Sequence, residues 1–256
     1  MHLIIANTLL IISLLMQYTV KIETETQQIT ADLDGDGVEE LITLEYMPDT
    51  GDYILTDGIA NIEGWLEPWL LGMELVDIDE SDNQMEIAVQ TAGPSDDYEA
   101  DYYTLINDRI QFIGHVYGYA TSHGGGDVIS EVWMGFWSRL DIYRLNRANI
   151  MLERVDQDLY SVIGYVDGRQ PGIECSVLES FPLYAYQDGQ EILTNLEAGD
   201  DITIVACHVA DRSASDDIEL AIGHFDWYLI MDEEGITGWA QFGDIWDKLD
   251  GIMWAD

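Results

Sequence analysis

Three carboxylates alternate along one short stretch of the chain, at Asp32, Asp34 and Asp36, and Gly37, Val38 and Glu40 follow them. Counted from Asp32, acids stand at positions 1, 3, 5 and 9, with a glycine at 6. A hard divalent cation such as Ca2+ gathers roughly six to eight oxygens around a small sphere. This spacing can supply them: alternate side chains on a tightly turned backbone, the Val38 carbonyl at position 7, and a glycine where the turn is sharpest. An EF-hand would place a bidentate Glu at position 12, but Thr43 stands there inside an alternating apolar run, which leaves Glu40 to close the site. The bland reading of the same residues is a solvated acidic turn.

The pattern returns further on. Residues 31–44, ADLDGDGVEELITL, align with residues 76–89, VDIDESDNQMEIAV, so that Asp77 lies 45 positions after Asp32. Asp77 and Asp79 keep positions 1 and 3, Ser81 replaces the third Asp, Asp82 follows it, and Glu86 falls one place later than Glu40. This loop lacks the glycine. Asp77, Asp79, Asp82 and Glu86 therefore form either a second cation site, with Asn83 nearby as a neutral oxygen, or a degenerate copy.

The elements that must hold these loops are short and alternating, as in ELITLEY (40–46), DYILTDG (52–58), MEIAVQT (85–91), DDITIVACHV (200–209) and WYLIM (227–231), with Gly- and Asp-rich turns between them. The expected class is mainly β. GWLEPWLLG (64–72) is broken as a helix by Pro68, and FGDIWDKL (242–249) is the best helical candidate. YVDGRQPGIE (165–174) gathers Gly, Asp and Pro and reads as a linker, dividing a larger unit at 22–165 from a smaller one at 176–256.

Charge narrows the partners. The 256 residues carry 50 Asp+Glu against 9 Lys+Arg, a formal charge of −41. Gripping a phosphate backbone takes clustered Lys and Arg, so nucleic acid is excluded as a partner and an anionic membrane surface is disfavoured. With 47% hydrophobic residues, eight Trp and fourteen Tyr, the chain can still bury a core and is no disordered acidic tail. The surplus of acid fits a soluble extracellular protein or a high-salt setting, and self-repulsion of this size is relieved by a bound cation.

The run LIIANTLLIISLLMQYTV (3–20) is uncharged and mostly apolar, which reads as an export signal or membrane anchor over residues 1–21 and places the bulk of the protein outside the cytoplasm. It lacks a basic start and an A-x-A cleavage site, and Lys21 flanks it on the side that positive-inside bias keeps cytoplasmic; a buried strand is the remaining reading. The only cysteines, Cys175 and Cys207, allow one bridge in an exported protein, or two buried free thiols.

DLDGDGVEEL resembles the calcium loop of FG-GAP and VCBS-type repeats, in which D-x-D-x-D-G-x-x-[DE] joins two strands of a sheet. That resemblance implies a Ca2+ role for Asp32, Asp34, Asp36, the Val38 carbonyl and Glu40. The stretch from VDIDESDNQMEIAV through AGPSDDYEADYYTL is similar to a second module of VCBS-containing exported proteins, although Ser81 and the missing glycine depart from the pattern. Full propellers of this type need more blades than residues 22–165 provide, so an incomplete or smaller β unit is expected. The C-terminal unit resembles a bacterial SH3 domain. Leu196-Glu197-Ala198-Gly199-Asp200, Trp227-Tyr228 and Gly238-Trp239 carry that likeness, in the order strand, turn at Asp188-Gly189, strand, and hairpin turning at Glu234-Gly235. It implies a small β-barrel acting as a binding or spacer module towards cell-wall glycan or peptide, and Trp227 and Trp239 are expected as barrel core rather than as a ligand platform.

Catalytic motifs are weak. His123-Gly124-Gly125-Gly126 copies an oxyanion-hole phrase, but no G-x-S-x-G accompanies it, and a flexible loop is the expected reading. Cys175, Cys207, His208 and His224 lack zinc spacing, and His208 points to the opposite strand face from Cys207. The sequence therefore points to an exported, calcium-binding, non-catalytic protein of the cell surface, with wall glycan, peptide or another surface protein as its ligand. A secreted hydrolase working through paired carboxylates is the alternative.

Overall fold

The computed structural model describes residues 24–94, 97–164, 170–187, 189–209 and 226–252. The apolar N-terminal run, Asp188, the acidic stretch 211–219 and His224 lie outside the described residues. Among the described residues no helix is long and apolar enough to cross a membrane.

Strand alternation decides the architecture. In β2 (Glu40–Met47), Ile42, Leu44 and Tyr46 are buried while Leu41 and Glu45 are exposed. It follows β1 (Glu25–Ala31) and precedes β3 (Asp52–Thr56) and β4 (Asn61–Trp65) in a four-stranded antiparallel sheet ordered as in the chain. A second four-stranded sheet repeats this plan with β5 (Trp69–Val76), β6 (Glu86–Ala92), β7 (Tyr98–Leu105) and β8 (Ile110–Tyr117). The 45-residue repeat is thus a repeat of whole sheets, and each acidic loop joins the first strand of its sheet to the second.

A third meander follows the same course through β9 (Tyr119–Ser122), β10 (Asp127–Trp133), β11 (Ser138–Asn146) and β12 (Met151–Arg154). After it, β13 (Tyr160–Ser161) leaves for the C-terminal sheet, while β14 (Ile163–Gly164) and β15 (Gln170–Pro171) extend the third. The middle sheet is apolar on both faces, as a filling between two others must be. Met73, Ile87, Val89 and Tyr103 pack with Ile42, Leu44, Tyr53 and Leu55 of the first sheet. Ala88, Ala100, Tyr102 and Val116 pack with Val128, Tyr143 and Leu152 of the third. The outward face of the first sheet is mostly polar, built from Thr26, Gln28, Thr43, Glu45 and Glu63, with Leu41, Met47, Ile54 and Trp65 as exceptions.

The C-terminal sheet departs from the expected barrel. Its strands are β16 (Ile173–Val177), β17 (Phe181–Tyr184), β18 (Ile192–Leu196), β19 (Asp201–His208), β20 (Trp227–Asp232), β21 (Thr237–Gln241) and β22 (Leu249–Asp250), in the order β18-β17-β21-β20-β19-β16-β22, with β13 also on β19. Among the described residues no sheet closes into a barrel. The end strands β18 and β22 do not meet, and the apolar face is covered instead by Phe136, Trp137 and Val162, which join Ile204, Tyr228, Ile230 and Phe242 in one core. Trp137 is fully buried and donates its ring N–H to the Tyr228 hydroxyl at 2.9 Å.

This arrangement reverses the expected role of two tryptophans. Trp227 and Trp239 lie half-buried on the outer face, because Tyr228, Ile230 and Ala240 take the inward positions of the same strands. The Glu234-Gly235 hairpin turn forms as expected, with Gly235 at φ +81°. LEAGD is a turn closed by the Asp200 carboxylate, which accepts the Glu197 N–H at 2.8 Å. FGDIWDKL gives a single turn, α1 (Phe242–Ile245), buried through Phe242 and Ile245. Cys175 and Cys207 are buried and not joined in a disulfide, and burial pushes the Cys175 thiol up to about 12.

Candidate metal centre

The first acidic loop turns back on itself so that carboxylate oxygens of Asp32, Asp34 and Glu40 all lie within 4.8 Å of one another. Backbone N–H groups fold the loop around them. Gly37 donates to Asp32 Oδ2 at 3.0 Å, Asp36 to Asp34 Oδ1 at 3.1 Å, and Leu33 to Glu40 Oε2 at 2.8 Å. Asp32 Oδ1 is buried and has no hydrogen-bond partner. A buried carboxylate oxygen without a donor is costly, and a cation facing it removes that cost. Gly37, at the sixth position, takes φ +90°, the left-handed conformation expected of it.

One expected carboxylate stands apart. Asp36 lies outside the converging group and accepts the Val38 N–H at 2.8 Å, an Asx-type turn that holds the loop's far side. Val38 is exposed at this turn.

The second loop keeps the frame of the first. Glu86 Oε2 accepts the Ile78 N–H at 3.0 Å, as Glu40 accepts that of Leu33; Asp79 Oδ1 accepts the Ser81 N–H at 3.0 Å, as Asp34 accepts that of Asp36. Asp77 Oδ1 is buried without a partner, like its counterpart on Asp32. The surroundings differ. Glu86 is almost fully buried, and desolvation pushes its carboxyl up to about 7 against the pull of the Ile78 N–H, with the Asp82 and Asp77 charges adding to the rise. Asp79 and Asp82 both accept from Arg147, the latter from Nη1 at 2.7 Å.

No protein-family model and no curated protein matches the chain. The site's chemistry is therefore read from its own residues.

The loops stack along one rim. Met85 donates its N–H to the Leu33 carbonyl at 2.8 Å, and a Cβ on Gly35 would stand 2.6 Å from the Asn83 carbonyl oxygen, so the first loop rests directly on the second. The HGGG run, expected as a flexible loop, is backbone paired against the other side of the second loop. Glu80 donates to the Gly124 carbonyl at 3.0 Å, Gly126 to that of Ile78 at 2.7 Å, and Ser122 Oγ to that of Asp77 at 3.2 Å.

Two groups that sequence reasoning passed over complete the electrostatics. Four of the nine basic residues, Arg139, Arg144, Arg147 and Arg154, fall in one short stretch, and each pairs with Asp. None of these pairs involves the first loop. Between the first two sheets, His115 Nδ1 meets Asp101 at 2.7 Å and Nε2 lies 3.5 Å from Glu99. Tyr53 donates to the same Asp101 and meets the Tyr103 hydroxyl. The hydrogen bond to Asp101 raises the His115 pKa above the usual imidazole range against burial, with the Asp101 and Glu99 charges adding to it.

Proposed function

We propose that the protein is an exported, non-catalytic binding protein of the cell surface whose first acidic loop is a Ca2+ site. The observation that carries the cation assignment is the convergence of Asp32, Asp34 and Glu40 around a buried Asp32 oxygen that has no donor. An all-oxygen, multiply charged donor set suits a hard divalent ion rather than a thiophilic or imidazole-seeking one. Asp32, Asp34 and Glu40 would hold the ion, and the exposed side of the loop leaves room for water. The likeness of DLDGDGVEEL to VCBS-type calcium loops supports the same reading, and the apolar run at 3–20 supports export. Cell-wall glycan or peptide is the proposed ligand class, in keeping with the SH3-like order of motifs in residues 176–256.

The role of the ion is structural. Loops that stack rim to rim bring carboxylates of neighbouring sheets together in a chain of charge −41, and a divalent ion at the first loop offsets part of that repulsion. Calorimetric titration of Ca2+ into chelator-treated protein, with a melting curve at each concentration, tests this. Saturable binding in the range of about 0.1–1 mM typical of extracellular modules, with a rising melting temperature, is expected. Absence of heat and of any melting shift at about 10 mM overturns the reading, since that lies well above the range.

One observation favours a second reading, a secreted hydrolase. An open depression of about 490 Å3 on the C-terminal sheet is lined by Glu174, Asp201, Asp232, Glu233 and Asp250. Turnover of polysaccharide or wall fragments that is lost in Asp201→Asn or Asp232→Asn but kept in Asp32→Asn would put this reading first.

A further inference from the structure

We infer that Arg147 is the resident cation of the second acidic loop, so that the chain takes up one divalent ion rather than two and the second loop becomes a divalent-cation site only when that guanidinium is removed. This rests on the first loop binding Ca2+, and deepens it by explaining why a near-copy of the same loop does not.

Arg147 comes from outside the loop it serves. It sits in the turn between β11 and β12 of the third sheet, where Ile150 donates its N–H to the Asn146 carbonyl at 2.8 Å and Ala148 donates to Asn146 Oδ1 at 3.0 Å. From there its fork spans two carboxylates of the second sheet's loop, Nη1 on Asp82 and Nη2 on Asp79. A guanidinium is planar, permanently charged and carries diverging donors, so one side chain can satisfy two carboxylates that would otherwise share a metal. The partners are 65 and 68 residues away along the chain. The pairing is thus a product of the fold and not of a local turn.

A second observation ties the loop to the first. The Asp77 Oδ1 atom is buried without a partner, as is the equivalent Asp32 atom. The two loops also share the Glu-to-backbone and Asp-to-backbone hydrogen bonds already described. What separates them is the counter-charge, because among the described residues no Lys or Arg pairs with Asp32, Asp34, Asp36 or Glu40. One loop has a built-in monovalent cation and the other has none. The missing glycine and the Ser81 replacement are then no handicap, since a fork reaching in from one side does not need the loop to wrap around it.

The test is the number of sites. Ca2+ is titrated calorimetrically into the full chain as wild type, R147Q and R147K, with Tb3+ luminescence as a second count and circular dichroism to confirm the fold. One site is expected in wild type and R147K, and two in R147Q, the new one at about 0.1–1 mM or weaker. Adding D34N to R147Q should leave one. No more sites in folded R147Q than in wild type, or two sites in wild type, overturns the inference. Should wild type bind none while R147Q binds one, the first-loop assignment fails and the Arg147 assignment stands. The double variant D79N/D82N, which needs no change at Arg147, should keep the wild-type count, and a fall in that count also overturns the inference.

Discussion

Replacing Asp32 by Asn separates the cation's contribution from the loop's own architecture. The amide oxygen can still accept the Gly37 N–H that Asp32 Oδ2 accepts at 3.0 Å, so the turn keeps its hydrogen bond. The change removes one of three carboxylates whose oxygens crowd within 4.8 Å, and with it the charge on a buried oxygen that has no donor. In chelator, D32N should therefore melt at the wild-type temperature or slightly above it. In calcium the order reverses. A site of about 0.1–1 mM at about 10 mM Ca2+ stabilises the wild type by about 1.4–2.7 kcal/mol. For a chain of this size that is roughly 3–11 °C in melting temperature. If D32N weakens binding to about 10 mM, the gain falls to about 0.4 kcal/mol, close to the limit of detection. Differential scanning calorimetry of both proteins, in chelator and in calcium, measures all four values. An undiminished calcium shift in D32N would refute the ligand assignment, and an equal loss in chelator and calcium would show that Asp32 only holds the turn.

Other consequences are equally open to measurement. His115 holds its proton above the ordinary imidazole range, so its contribution is complete below about pH 6.5 and is lost as pH rises through its raised folded value. Burial raises the Glu99 carboxyl as well, which acts in the same direction; urea midpoints should fall from pH 6 to pH 9 in wild type and fall less in H115Q, and identical pH profiles would discount the clasp. Gly35→Ala forces a side chain against the Asn83 backbone at φ +74° and should cost about 1–3 kcal/mol while weakening Ca2+ uptake; unchanged stability would show that the first two loops part freely. Trp137→Phe removes the donor to Tyr228 and leaves a void in the core beneath the C-terminal sheet, a loss of about 2 kcal/mol by denaturant titration, and a change under about 0.5 kcal/mol would contradict the packing described.

What the sequence revealed depended on how far apart the cooperating residues lie. The strands follow from alternation, and the first loop was legible because its acids fall within nine consecutive residues, where backbone geometry alone brings them close. Asp36 falls outside the converging trio, its Oδ1 accepting the Val38 N–H, a local choice that spacing does not reveal. The duplicated loops marked a duplication of sheets, because each loop occupies the same connection. The third meander was hidden, because its connection at 123–126 is shorter than the two acidic loops and carries no acid. Long-range choices left no trace: Arg147 finds Asp82 across 65 residues, and His115 meets Asp101 only through the pairing of β7 with β8. Trp227 and Trp239 looked like core because a closed barrel needs bulk inside it. Once Trp137 arrives from β10–β11 to cover Tyr228, the sheet has no need to curl, and those tryptophans turn outwards.

The outward face of the first sheet carries Thr26, Gln28, Thr43, Glu45 and Glu63 where the middle sheet carries apolar residues on both sides. Gln28 and Thr43 are even bonded to one another across it, at 3.1 Å. A stack of similar sheets could in principle grow by adding copies, since each new layer would bury the face of the last. Here that face works as an end cap in the manner of a terminal repeat in a solenoid, satisfied by water and by its own cross-strand bonds. Charge strengthens the effect, for a second copy approaching this surface would bring Glu45 and Glu63 against their own kind. Among the described residues this face offers a further layer less apolar surface than either face of the middle sheet, with Leu41, Ile54 and Trp65 set among its polar groups.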